Sequence, residues 1–176
     1  MLDATPLLRL WARRRLRQLA RQDAVEAQRR TLRALMRRAA GTRFGQAHEF
    51  GRVDGVAAFQ ERVPLRRYED FWRDWWQPAF PRLTDISWPG TIPYFAATSG
   101  TTTGNTKYIP VSRDMVRANR RAALDVLAHH LAARPDSRIF GGRSFVLGGS
   151  TDLVRQAPGI HSGDLSGIAA AEVPWW

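Results

Sequence analysis

Two short apolar runs, Tyr94-Phe95-Ala96-Ala97 and Tyr108-Ile109-Pro110-Val111, flank a loop of glycines and small hydroxyl residues, and the second run leads straight into a helix signal. Apolar runs this short, bounded by turn residues, read as strands, the first of them buried. Ser112 is a good N-cap. From Arg113 to about Ala133, the residues Val116, Ala123, Leu124, Leu127 and Leu131 recur on one helical face, and Arg134-Pro135 ends the pattern. A strand, a loop, a second strand and a long amphipathic helix in one stretch call for a sheet with helices packed on it. The expected fold class is α/β.

The segments before this unit read as helical. Thr5-Pro6 has the form of an N-cap followed by proline at the first helical position. Leu8, Trp11, Ala12, Leu16, Leu19 and Ala20 then recur at helical spacing. Val25, Leu32, Leu35, Met36, Ala39 and Ala40 carry the pattern to Gly41, either as one long helix or as two joined near Gln22. Residues 1–40 are therefore read as an Arg-rich helical region preceding a domain that occupies 41–176. Asp54 is placed as the cap of a short helix from Gly55 to Arg62, which stops before Pro64. Tyr68 to Trp76 reads as another short helix, dense in aromatics. Pro78, Pro81, Pro89 and Pro93 break the next stretch into turns. Arg143 to Leu147 reads as a strand. The last thirty residues are rich in Gly, Ala and Ser and close on Trp175-Trp176, a pair whose area calls for burial; the expectation is a chain that continues.

The 176 residues fit one ordinary domain, 44% hydrophobic and 24% charged, the balance of a globular protein. No cysteine is present, which excludes a disulfide scaffold, thiolate metal sites and a cysteine nucleophile. This fits a reducing compartment, and a cytoplasmic location is expected. No apolar run approaches the length of a membrane span. The net charge of +11 invites a nucleic-acid or anionic-membrane reading. The charge is concentrated in residues 1–38, where eleven Arg face Asp3, Asp23 and Glu26. Trp11 is the one aromatic among those arginines, too few to stack successive bases. A solvated helix face accounts for them, and nucleic acid is not an expected partner.

The loop carries the chemistry. It runs Thr98-Ser99-Gly100-Thr101-Thr102-Thr103-Gly104-Asn105-Thr106-Lys107, and Lys107 is the only lysine among 27 basic residues. Successive backbone N–H groups in a glycine-rich turn attract anions, and glycine lets the backbone approach a phosphate closely. Hydroxyls donate further bonds, and an ammonium on a flexible stem is not interchangeable with a guanidinium beside a phosphate. Thr98, Ser99, Gly100, Thr101, Thr102, Gly104 and Lys107 are the candidate nucleotide-binding residues, with Lys107 also the catalytic candidate. A plain Thr-rich hairpin loop is the simpler reading of the same composition. The loop is not a Walker A sequence: three residues rather than four separate the glycines, and Tyr108 follows the lysine where Ser or Thr is needed.

From Thr98 to Pro110 the sequence resembles the first ATP motif of adenylate-forming enzymes. It is most similar to that of the Gretchen Hagen family, the auxin-responsive acyl-acid amido synthetases, with Thr103 as the additional loop residue and Ile109-Pro110 after the lysine. Thr42-Arg43-Phe44-Gly45 with His48 and Phe50, then Phe59-Gln60-Glu61-Arg62-Val63-Pro64, Tyr68-Glu69-Asp70, Gly163-Asp164-Leu165-Ser166-Gly167-Ile168 and Pro174-Trp175-Trp176 also resemble that family. The resemblance implies the N-terminal portion of the large, luciferase-like domain of an adenylate-forming enzyme, with its first ATP motif at 98–110. It implies ATP and Mg2+, a small carboxylic acid that is adenylated, and an amino acid whose amine takes the acyl group. It implies that Ser99, Thr101 and Thr102, with the backbone of Gly100 and Gly104, hold the phosphates and that Lys107 neutralises charge on them. It implies that helix 113–133 and the turn at 163–167 line an acyl pocket. The family's later ATP motifs do not occur in these residues, so the chain alone is expected to be catalytically incompetent. An acyl-CoA or aryl-acid ligase is the alternative within enzymes, and a basic binding module for nucleic acid or anionic membrane is the alternative outside them.

The remaining constellations are weak. His129 and His130 are adjacent on a helix and point about 100° apart, a poor arrangement for sharing a metal, and no metal site is expected. Ser150 and Ser166 lie in glycine-rich turns without the G-x-S-x-G pattern of a hydrolase nucleophile.

Overall fold

The computed structural model describes residues 3–98, 106–142 and 150–172. The expected strand at 143–147, the closing Trp175-Trp176 pair and the loop residues Ser99, Gly100, Thr101, Thr102 and Gly104 lie outside the described residues.

The N-terminal region forms two helices, α1 (Thr5–Ala20) and α2 (Ala24–Ala39). Asp23 caps α2 by accepting from the Glu26 N–H at 2.7 Å. Thr5 does not cap α1 as the sequence suggested. The Asp3 carboxylate takes the Thr5 N–H at 2.9 Å instead. The Thr5 hydroxyl, buried, accepts from the Phe140 N–H at 3.0 Å. A carboxylate is the stronger acceptor for a helix N-terminus, which frees the hydroxyl for a long-range bond.

Three short helices follow: α3 (Arg43–Ala47), α4 (Val56–Arg62) and α5 (Tyr68–Phe71). Thr42 caps α3 by accepting from the Gly45 N–H. Asp54 caps nothing: α4 starts at Val56 with Gly55 as its N-cap. That start leaves the Asp54 side chain one position too early for the free N–H groups of the first turn. The aromatic segment is not one regular helix. After α5 it widens into a π turn at Trp72–Trp76 and tightens into a 3-10 turn at Gln77–Ala79. The wide turn sends Trp75 into the core with Met36, Ala39, Phe44 and Phe50, while Trp72 meets Phe80 and Tyr108. A regular helix would have kept these rings on one stripe.

Among the described residues the sheet is mixed and four-stranded, in the order β2-β1-β4-β3. Its strands are β1 (Tyr94–Thr98), β2 (Lys107–Val111), β3 (Val154–Ala157) and β4 (Ile160–Gly163). β1 is antiparallel to β2 and parallel to β4, and β3 is antiparallel to β4. Helix α6 (Arg113–Ala133) follows β2, and α7 (Leu165–Ala171) follows β4. Because side chains alternate along a strand, the sheet has two faces. Phe95, fully buried, packs with Leu83, Ile92 and Ile160 under the aromatic segment. Ala96 and Val111 pack with Val116 of α6 and Ile168 of α7 on the other face.

α6 has the bounds and the Ser112 cap expected from sequence, the hydroxyl accepting from the Met115 N–H. Its far end packs on α1 through Ala12, Ala128 and Leu131, and Arg15 holds Asp125 through two bonds of 2.6 and 2.7 Å. Among the described residues no helix is long and apolar enough to cross a membrane.

Candidate functional site

The β1–β2 register pairs Thr98 with Lys107, so these two residues face each other at the mouth of the connecting loop. By alternation they share a sheet face with Ala96, Ile109 and Val111, the face that α6 and α7 cover. Lys107 is one-third exposed. Its ammonium donates to the Glu69 carboxylate at 2.6 Å and lies 4.9 Å from the centre of the Tyr68 ring. The Lys107 bond holds the Glu69 carboxyl below its ordinary range.

Tyr68 has a second task. Among the described residues β2 is an outer strand of the sheet, and an edge leaves alternate N–H and C=O groups without a partner. The Tyr68 hydroxyl accepts from the Tyr108 N–H at 2.8 Å and donates to the Tyr108 carbonyl at 3.4 Å. It serves where a fifth strand would, and burial raises its pKa. The start of α5 therefore fixes both the backbone of β2 beside Lys107 and the lysine's head group. Sequence reading set Tyr68 and Glu69 only within a family-like stretch. No local pattern signals that they meet a residue 38 positions away.

A cavity of about 330 Å³ opens between α6 and α7. Val116, Ala123, Leu165 and Ile168 make its lining apolar, and Arg120 and Glu172 are its charged members. Arg120 donates to the Glu172 backbone carbonyl at 2.7 Å. A guanidinium has five N–H donors, so this one bond leaves capacity for a carboxylate. Gly167 lets α7 lie close to the backbone of Ser150: a Cβ there would stand 2.1 Å from the Ser150 carbonyl oxygen. A more apolar hollow, of about 480 Å³, lies between α2, β2 and the start of α6, beside Trp88, Ile109 and Met115. Sequence reading did not anticipate it.

The Tyr94 hydroxyl donates to Glu172 and ties the end of α7 to β1. Burial, and then that bond, push the Tyr94 phenol up to about 12 from an ordinary 10. A value raised in the folded state means that the contribution to stability is whole below about pH 10 and is lost as the pH rises through about 12. In an alkaline titration followed by tyrosinate absorbance, one late step near pH 12 is expected, and Tyr94→Phe should remove it. If Tyr94→Phe removes only a step of ordinary pKa and leaves every late step in place, the Tyr94–Glu172 contact is excluded; the Tyr68 phenol, also raised, keeps a late step of its own.

The histidines build no catalytic or metal centre among the described residues, which hold no cluster of three or more His, Asp or Glu able to bind a metal ion. His48 is a core residue: it stacks on Phe44, donates from Nδ1 to the Phe44 carbonyl and accepts from Arg66 at Nε2. His129 and His130 are exposed on α6.

The pattern of the GH3 family N-terminal domain matches residues 13–172, nearly the whole chain. The chain belongs to the GH3 family. This is the family of Gretchen Hagen 3 acyl-acid amido synthetases, and the mixed α/β architecture is consistent with its N-terminal domain. No curated protein matches the chain. GH3 membership suggests a ligase-type enzyme. The GH3 match spans α2 through α7, so the ammonium at the loop mouth and the α6/α7 cavity both fall inside the matched region.

Proposed function

We propose that this GH3 chain supplies the triphosphate-binding and acyl-binding part of an ATP-dependent acyl-acid amido synthetase, built on the large domain of an adenylate-forming enzyme. In this reading residues 1–40 form a helical flank and 41–176 belong to the adenylation domain. The observation that carries it is the placement of Thr98 and Lys107 across the mouth of one loop, at the end of the strand pair that packs through Ala96 and Val111 on α6 and α7, the helices that line the cavity.

The reaction has two steps. A carboxylate oxygen attacks the α-phosphorus of ATP, and pyrophosphate leaves. The amine of an amino acid then attacks the acyl carbonyl, losing a proton, and AMP leaves. Lys107 counters negative charge on the phosphates, with Thr98, Ser99, Thr101 and Thr102 donating hydroxyls and Gly100 and Gly104 admitting the backbone. Such groups act by position and by charge. The carboxylic acid lies in the cavity, its chain against Val116 and Ile168 and its charge toward Arg120. Mg2+ would accompany the nucleotide and share the charge of its phosphates with Lys107.

Amide hydrogen exchange tests the reading. ATP with Mg2+ should slow exchange in residues 98–111, and the same 176 residues should release no pyrophosphate from ATP and a panel of carboxylic acids. ATP that leaves exchange in 98–111 unchanged would sink the assignment of this loop. Pyrophosphate release would show that the family's later ATP motifs are dispensable here.

A further inference from the structure

We propose that Glu69, with Tyr68, is a positioning residue that holds the Lys107 ammonium ready for a triphosphate. This rests on the reading of Lys107 as a phosphate-binding lysine.

An ammonium carries three donors on a stem with large rotamer freedom. A lysine at a strand end would lose that freedom on meeting a phosphate, which opposes binding. Here the freedom is already lost. One donor of Nζ is taken by Glu69 at 2.6 Å, and the charge lies over the Tyr68 ring at 4.9 Å. These are the contacts of Nζ among the described residues, and they leave donors for an anion. The two partners are adjacent on α5, and Tyr68 also grips the backbone of Tyr108, the residue after the lysine. The head group and the strand it grows from are thus set by one turn of helix. Besides Lys107, the charge that acts on Glu69 is Arg67, the N-cap of α5, which also lowers the Glu69 pKa; the titratable phenols of Tyr68 and Tyr108 stand on the same side of β2. Protein kinases solve the same problem in the same way, a helix glutamate holding the lysine that meets the phosphates.

The sole lysine makes the test clean. [15N]Lysine labelling places one Nζ resonance in the spectrum of the 176-residue chain. Glu69→Gln should broaden that resonance through faster proton exchange and weaken ATP binding about two- to fivefold, the scale of an exposed ion pair. The melting temperature should hold, because Glu69 is exposed. Glu69→Asp should recover part of both signals. Tyr68→Phe, which keeps the ring and loses the strand cap, should change the Tyr108 amide resonance and leave Nζ sharp. An Nζ resonance unaffected by Glu69→Gln overturns the proposal, and so does a broadened resonance with unchanged ATP affinity. If the unsubstituted chain binds no ATP, the phosphate reading falls, and the Nζ comparison still decides whether Glu69 places Lys107.

Discussion

Lys107→Met is expected to weaken ATP binding by about ten- to a hundredfold and to leave the fold intact. Hydrogen bonds to a charged group contribute about 1.5–3 kcal/mol, and each 1.4 kcal/mol is a factor of ten in affinity. Methionine keeps the stem and removes only the charge and its donors. The side chain is one-third exposed and anchors no core cluster, so melting should change little. Lys107→Arg should restore less than half of the lost binding energy. A guanidinium beside Glu69 forms a planar two-bond fork with the carboxylate, and the fork turns its donors away from a phosphate. Calorimetric titration of the three chains with ATP and Mg2+ decides this. A loss under threefold for Lys107→Met, or full rescue by Lys107→Arg, would remove Lys107 from the phosphate site.

The second large effect is structural and falls on α7, which lines the α6/α7 cavity. In Gly167→Ala the new Cβ would stand 2.1 Å from the Ser150 carbonyl oxygen and 3.2 Å from its carbon. Both are backbone atoms, so no side-chain rotation relieves the clash. α7 must shift, and Ile168, fully buried against Val116 and Ala96, shifts with it. Overpacking of this kind costs about 3 kcal/mol or more, which lowers the melting temperature by about 6–12 °C in a chain of this size. Gly51→Ala is the control, since no atom lies within 4 Å of its Cβ. There alanine should leave melting unchanged or slightly raised. A Gly167→Ala chain that melts within about 2 °C of the original would mean that α7 does not approach Ser150 so closely.

Where sequence reading succeeded, the signal was local. Ser112 and Arg134-Pro135 bound α6, and Asp23 explains why α1 and α2 are two helices near Gln22 rather than one. The hairpin β3–β4 was missed although its turn was legible. Pro158-Gly159 is a strong turn dipeptide, and Gly159 has the positive φ of +74° that a type II turn places on glycine. Its strands were not legible, because Val154-Arg155-Gln156-Ala157 alternates weakly and Ile160 is the one large apolar residue of β4. Thr5 and Asp54 were misread for a shared reason. Each is a good capping residue, and which candidate caps a helix depends on where the first turn settles.

Sequence by itself determined that this chain has a strand–loop–strand–helix unit with one lysine at the loop's end, and that its segments follow the GH3 order. Caps, turns and short periodicities act over a few residues, so a linear reading captures them. Only the tertiary structure decided that Glu69 and Tyr68 stand beside Lys107, that β4 joins β1 in parallel, and that α6 and α7 enclose a cavity. Those pairings join residues tens of positions apart. They are selected by the burial of Phe95, Ile160 and Ile168 on two faces of one sheet, and that burial exists only once the whole chain has packed.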